Sequence, residues 1–251
     1  MKNNYKEQLE EFQQKYDKLL AENHDLSEKN AELKQFSHLA SHDLQQPLNN
    51  IISYLSILES SKDKFDKMEQ LSLEVISKST LKMKSYITSL LDFSLIGNSK
   101  TKENIVVKEV LNDVKDALYQ QISSTKAALS FDLTNHEMIG YKNDIYLLFL
   151  NLIENAVKFH NKGKSPVIQI TSELKDDKYL YTIKDNGIGI PEDEVNKIFD
   201  IFYTIHPDEE FEGVGIGLAQ AKKITKLYNG KIWLDATPNK GAIFYVCFPA
   251  K

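Results

Sequence analysis

The chain contains no arginine: all 31 of its basic residues are lysine. Any anion site it builds must use lysine, backbone N–H groups or a metal, because the planar guanidinium fork is missing. Cysteine is nearly absent as well. Cys247 is the only one in 251 residues, which excludes an internal disulfide framework and a cysteine-rich zinc site. Long apolar runs are lacking. The longest, near Ile145–Ile153, is about half a membrane span and carries Asn151. The opening MKNNYKEQLEEF has no apolar signal-peptide core. The expectation is therefore a cytoplasmic protein with no membrane segment. A net charge of −5 argues against a nucleic-acid binder held by phosphate attraction. What is present, 41% hydrophobic and 27% charged residues, suits a globular chain with a real core. The length suggests one or two domains.

Proline and glycine are scarce in the first stretch, where Pro47 stands alone and Gly97 comes only at the end. Tyr5, Leu9, Phe12, Tyr16, Leu19, Leu26 and Leu33 repeat at heptad spacing, with charged residues between them. Sustained over roughly four heptads, this reads as a coiled coil, with Asn23 and Asn30 on the seam fixing register. The alternative is a single amphipathic helix lying on a globular body. Leu44, Leu48, Ile51, Leu55 and Leu58 continue one apolar face. Polar residues from Ser60 to Asp66 interrupt the pattern. A second helix follows, with Met68, Leu71, Val75, Met83, Tyr86, Leu90 and Phe93 on one side. Two such helices make an antiparallel hairpin, and two hairpins from a dimer make a four-helix bundle.

The polar stretch Gly97–Glu103 marks a domain boundary. Beyond it, helix and strand signals alternate. Helical patterns lie near Val107–Ser123, Lys142–Asn161, Glu192–Phe202 and Gly215–Tyr228. Strand patterns lie near Ala128–Leu133, Val167–Glu173, Tyr179–Lys184, Lys231–Ala236 and Ala242–Phe248. The short links KDDK and TPNKG favour antiparallel hairpins. The fold class is thus an α+β sandwich, with helices on one face of a mostly antiparallel sheet.

Four places carry candidate chemistry. His42 lies about 160° around the helix from the apolar stripe and points outward. Asp43 can hold one ring nitrogen and orient the other as a nucleophile. Pro47 removes the N–H that would bond the Asp43 carbonyl, and Gln46 shares the exposed face. His38 stands one turn from His42, but a third zinc ligand is not evident. Asn151 and Asn155 share a face of a helix and offer oxygen ligands for Mg²⁺. Lys158 follows as a point charge for phosphate. A solvent-facing polar stripe is the plain alternative. Asp185-Asn186-Gly187-Ile188-Gly189-Ile190-Pro191 leaves a strand. Its glycines admit a close ligand, and Asp185 offers an acceptor suited to an amino group such as that of adenine. A tight turn alone would also account for it. Gly213, Gly215 and Gly217 lead into a helix whose free N–H groups suit phosphates. Residues 203–212 (YTIHPDEEFE), including His206, look like a mobile lid or a plain surface loop.

In this order the motifs resemble the transmitter region of sensor histidine kinases, particularly the phytochrome-like group. The resemblance covers about Phe36 to Pro249. FSHLASHDLQQPLNNI resembles the histidine box and NLIENAVKF the asparagine box. DNGIGIP and GVGIGLA resemble the two glycine boxes, and KIFDIFYTIHP the phenylalanine box. It implies a coiled-coil signalling helix over 1–35 and a dimerisation and histidine phosphotransfer domain over 36–98. A catalytic, Bergerat-type ATP-binding domain shared with gyrase and Hsp90 would span 99–251. His42 would accept the phosphoryl group, with Asp43 orienting it. Asn155, supported by Asn151, would hold Mg²⁺, and Lys158 would face phosphate. Asp185 would read the adenine amino group, with Gly187 and Gly189 making room for the base. Gly213, Gly215 and Gly217 would close over the phosphates of ATP. Gln46, four residues after His42, follows the phytochrome-like pattern. The implied function is autophosphorylation and transfer to an Asp of a response regulator. The implied partners are a second copy, that regulator, and an upstream sensor domain or separate sensor. The rival expectation is a non-catalytic dimeric ATP-binding scaffold.

Overall fold

A computed structural model describes residues 2–97, 101–205, 213–236 and 240–250; the side chains of 2–11, 26–27, 30–42 and 236 lie outside that description. The chain divides into two compact units, Met1–Ser94 and Leu95–Lys251. The division falls just before the polar stretch at Gly97–Glu103. Ile96 is already buried in the second unit, and the Gly97 N–H donates to Asp144 there.

The first unit is a helical hairpin. Helix α1 (Lys2–Glu59) runs through Pro47 without a break, and α2 (Lys67–Leu95) returns along it. A single 3-10 turn at Lys62–Lys64 links them. Asp66 then starts α2. Its Oδ1 accepts the N–H groups of Met68 and Glu69, and Glu69 Oε2 accepts the Asp66 N–H, all at 2.8 Å. This reciprocal cap satisfies donors that the helix itself cannot. Gln45 Nε2 donates to Thr88 Oγ1 at 3.5 Å and Ser77 Oγ to Glu59 Oε1 at 3.0 Å, which makes the pairing antiparallel.

The seam between the helices is narrower than the apolar stripes. Leu48, Leu55, Leu73 and Thr80 are buried, whereas Leu44, Ile51, Leu58, Met68, Leu71, Val75, Met83 and Leu90 are exposed. Leu73 sits two residues from Leu71, about 200° around the helix. Two helices need only one thin contact face each, so the wider stripe is left over. Farther up α1, Phe12, Tyr16, Leu19 and Asn23 of the heptad seam are exposed. Seam positions Tyr5, Leu9, Leu26, Asn30 and Leu33 lie outside the described side chains.

The second unit is an α+β sandwich. Strands β1 (Glu103–Val106) and β3 (Glu137–Gly140) form a two-stranded antiparallel pair. The main sheet is built from β2 (Ala128–Asp132), β4 (Val167–Lys175), β5 (Lys178–Lys184), β7 (Ala242–Pro249) and β6 (Lys231–Ala236), in that order. Only β2 and β4 run parallel. Helices α3 (Val107–Ala117), α4 (Tyr119–Thr125), α5 (Lys142–Lys158) and α6 (Gly217–Leu227) complete the unit. Strand residues alternate in burial, as a one-sided sheet requires. Ile168, Ile170, Tyr181, Ile183, Phe244 and Val246 are buried together with Leu111, Val114, Leu148, Phe149, Leu152 and Ile224 from the helices. On the other face, Trp233 stacks on Tyr245, with centroids 5.3 Å apart and planes at 14°.

Three details differ from the sequence expectation. The helix expected over Val107–Ser123 breaks at Leu118 into α3 and α4. The helix expected over Glu192–Phe202 is instead two 3-10 turns, Glu192–Glu194 and Lys197–Phe199. No side-chain cap starts either turn, and Asp200 is already extended. The short strands β1 and β3 carry no alternation long enough to reveal them. No helix among the described residues is long and apolar enough to cross a membrane.

Candidate functional site

Three stretches far apart in sequence meet in the second unit. They are the last turns of α5, the loop after β5 and the start of α6. Helix α5 is anchored by buried Leu148, Leu152, Ile153 and Val157, which leaves Asn151, Asn155 and Lys158 half-buried on another face. Gly217 opens α6 against that face. A Cβ on Gly217 would stand 2.7 Å from Asn151 Oδ1, and one on Gly213 would stand 2.6 Å from Lys158 Nζ. A side chain at Gly217 would displace the Asn151 carboxamide, whereas one at Gly213 would displace only the flexible end of Lys158. Gly215 takes a φ of +71°, and its carbonyl accepts the Phe202 N–H at 2.9 Å. Below this, Tyr203 donates its hydroxyl hydrogen to Glu194 Oε2. Residues 206–212, with His206, lie outside the described residues.

The loop after β5 is held from several sides. Asp185 Oδ1 accepts the N–H groups of Gly187 at 2.8 Å and Ala242 at 3.1 Å. Burial raises the Asp185 pKa, and these two donors partly oppose the rise. No donor among the described residues reaches its Oδ2. Gly187 is buried, and a Cβ there would stand 2.2 Å from the Phe159 carbonyl oxygen. That same carbonyl accepts the Ile188 N–H at 3.0 Å. Asn161 Nδ2 donates to the carbonyls of Asn186 and Gly187 at 3.1 and 2.9 Å. Gly189 has a φ of +71°.

The donor set fits a hard cation bound together with phosphate. The Asn155 carboxamide and Asn151 Oδ1 have no hydrogen-bond partner among the described residues, and amide oxygens suit Mg²⁺. No group of three or more His, Cys, Asp or Glu side chains among those residues could hold a metal by itself. An ion here would complete its shell with water and ligand oxygens. Lys158 Nζ, 4.7 Å from the Phe159 ring centroid, supplies nearby positive charge.

The proposed acceptor lies in the first unit. Residue 42 is in α1, but the His42 and His38 side chains are outside the description; Asp43 and Gln46 are exposed. Sequence reasoning missed Gln220, Asn161 and Gly241. Gln220 is buried and accepts the Asn151 amide at 3.0 Å. Gly241 leaves room for the Asp185 carbonyl, which a Cβ would approach to 2.1 Å. Its place in the polar TPNKG link was the only signal.

Comparison with known proteins fits this geometry. Residues 32–99 match the His Kinase A (phospho-acceptor) domain, and residues 140–251 match the histidine kinase-, DNA gyrase B-, and HSP90-like ATPase family. Cyanobacterial phytochrome A of Nostoc sp. (strain PCC 7120) is 35% identical over 90% of this chain; the chain spans 30% of that relative's length. Two solved structures share the fold. Full-length ShkA in complex with AMPPNP aligns with a TM-score of 0.66 at 18% identity, covering 86% of this chain and 45% of ShkA. Histidine kinase ThkA in complex with response regulator protein TrrA aligns with a TM-score of 0.58 at 21% identity, covering 89% of this chain and 64% of ThkA. With a helical hairpin that matches the His Kinase A model followed by an α+β ATPase-type unit, the chain belongs to the sensor histidine kinases, as a transmitter region.

Proposed function

We propose that the chain is an ATP-dependent protein-histidine kinase that phosphorylates His42 and passes the phosphoryl group to an Asp of a response regulator. The observation that carries this is the meeting of Asn151, Lys158 and the Gly213–Gly217 loop. The same unit carries Asp185, whose Oδ1 is held by two backbone N–H groups. Asp185 Oδ2 accepts the adenine amino group. Lys158 and the first N–H groups of α6 hold the polyphosphate. Asn155, supported by Asn151, would hold Mg²⁺, which would supply positive charge to offset that of the phosphate groups. The ring-nitrogen lone pair of His42 forms the P–N bond. The bond from the γ-phosphorus to the bridging oxygen breaks, and ADP leaves. Asp43 holds the N–H of the other ring nitrogen and stabilises the positive charge that builds on the imidazole. The ShkA and ThkA structures, bound to a nucleotide analogue and a response regulator, support the same ligands for this chain.

The exposed row Leu44, Ile51 and Leu58, with Leu71 and Val75, is the face for a second copy. A homodimeric four-helix bundle would cover it, and a sensor upstream or on a partner would set activity through α1. The test is incubation with γ-labelled ATP and Mg²⁺ of the native chain, His42→Gln and Asn155→Ala. Acid-labile, base-stable label on the native chain alone is expected. Label on His42→Gln removes the acceptor assignment. ATP binding without label on any of the three favours a scaffold instead.

A further inference from the structure

Gln220 is a buried polar side chain in α6 that the phosphate-binding motif does not account for, with only 5% of its surface exposed. Its Oε1 accepts a hydrogen bond from Asn151 Nδ2 at 3.0 Å. A carboxamide has one donor end and one acceptor end. Committing Nδ2 to Gln220 turns Oδ1 toward Gly217, where the space a Cβ would need lies 2.7 Å from that oxygen. No donor among the described residues meets Oδ1. Rotating the amide by half a turn would set Oδ1 against Gln220 Oε1, two acceptors in a buried place, and strand the Nδ2 hydrogens. As long as Gln220 presents Oε1, the contact between α5 and α6 therefore decides which atom of Asn151 faces the glycine loop.

We propose that Gln220 is a positioning residue that locks the Asn151 carboxamide with its oxygen toward the start of α6, so that Asn151 supports the Mg²⁺·nucleotide held at Asn155. This rests on the nucleotide-site reading above. Gln220 touches neither ion nor nucleotide. It acts by removing the alternative orientation of a side chain that does, as outer partners of metal ligands commonly do.

The test is calorimetric binding of AMPPNP to the full chain, in Mg²⁺ and in EDTA, for the native chain, Gln220→Met, Asn151→Ala and the double variant. Gln220→Met should weaken Mg²⁺-dependent affinity by about ten-fold and leave affinity in EDTA unchanged. On the Asn151→Ala background the same substitution should have no further effect, because its route of action is gone. An equal loss on both backgrounds, or an equal loss in EDTA, would make Gln220 a packing residue and overturn the proposal. Native binding in Mg²⁺ with no change in Gln220→Met overturns it alone. No native binding at all removes the nucleotide site and this inference together. A second measurement needs no variant of Gln220. The Asn151 side-chain NH₂ resonances, assigned by their loss in Asn151→Ala, should be protected from solvent exchange in the nucleotide-free native chain. Rapid exchange there contradicts a locked amide.

Discussion

The backbone N–H of Gly97 donates to both carboxylate oxygens of Asp144, at 3.4 Å to Oδ1 and 3.1 Å to Oδ2. The Tyr228 hydroxyl reaches the same Oδ2 at 3.5 Å while accepting the Tyr141 N–H at 2.8 Å. The residues that follow α2 are thus tied to the start of α5 and the end of α6, the two helices that carry the candidate site.

This tie has a pH signature. Burial raises the Asp144 pKa above its ordinary 3.8, against the opposing Gly97 N–H, Tyr228 hydroxyl and Lys223 charge. A carboxyl whose pKa is higher in the folded state takes up its proton there first. Its contribution to stability therefore rises as pH falls through the folded value, and levels off near 3.8. Asp144→Asn should abolish that acid-side gain. Urea midpoints between about pH 4 and pH 7 check this, and an unchanged slope in the variant contradicts it.

His136 acts in the opposite direction. It is 3% exposed, its Nδ1 lies 2.6 Å from the Tyr181 hydroxyl, and it stacks on Tyr179 at 3.7 Å. Burial lowers its pKa from 6.5 to about 4. The unfolded chain takes the proton first, so stability should fall as pH drops from 6.5 to about 4. The loss is on the order of 3 kcal/mol. His136→Gln keeps a partner for Tyr181 and cannot titrate. It should lower stability at neutral pH and flatten that acid slope, which thermal unfolding across the window would read.

Two glycines separate crowding from backbone strain. Gly187→Ala would press a methyl to 2.2 Å from the Phe159 carbonyl, a backbone atom with little freedom to move. It should cost about 2–3 kcal/mol and disturb the Asp185 loop. Gly163→Ala meets nothing within 4 Å, and only its φ of +78° is unfavourable. Its cost should be about 1 kcal/mol, with nucleotide binding unaffected. Denaturant midpoints of the two variants rank them, and equal losses would show that contact at Gly187 is not the cause.

Much of this molecule was legible because its signals are local. The five strands of the main sheet and helices α5 and α6 follow from apolar periodicity, and the glycine loops follow from their own composition. The rest depends on contacts between distant residues. Nothing around Gln220 announces that Asn151, 69 positions away, is its partner. The stripe on α2 was legible as apolar, but not as the face left over once Leu73 and Thr80 formed the hairpin seam. The turns at Glu192–Phe199 carry a helix-like pattern that ends too soon to close a full helix.

Trp233 is the chain's one tryptophan, 40% exposed and stacked on Tyr245 across the sheet from the helices. That placement makes it a built-in optical reporter of a single surface. Its emission should stay in place while nucleotide titrates on the helix side of the unit. Anything that settles on the open face of the sheet should shift the emission to the blue and shield it from acrylamide. One fluorescence cell can therefore separate nucleotide binding at the candidate site from occupancy of the sheet.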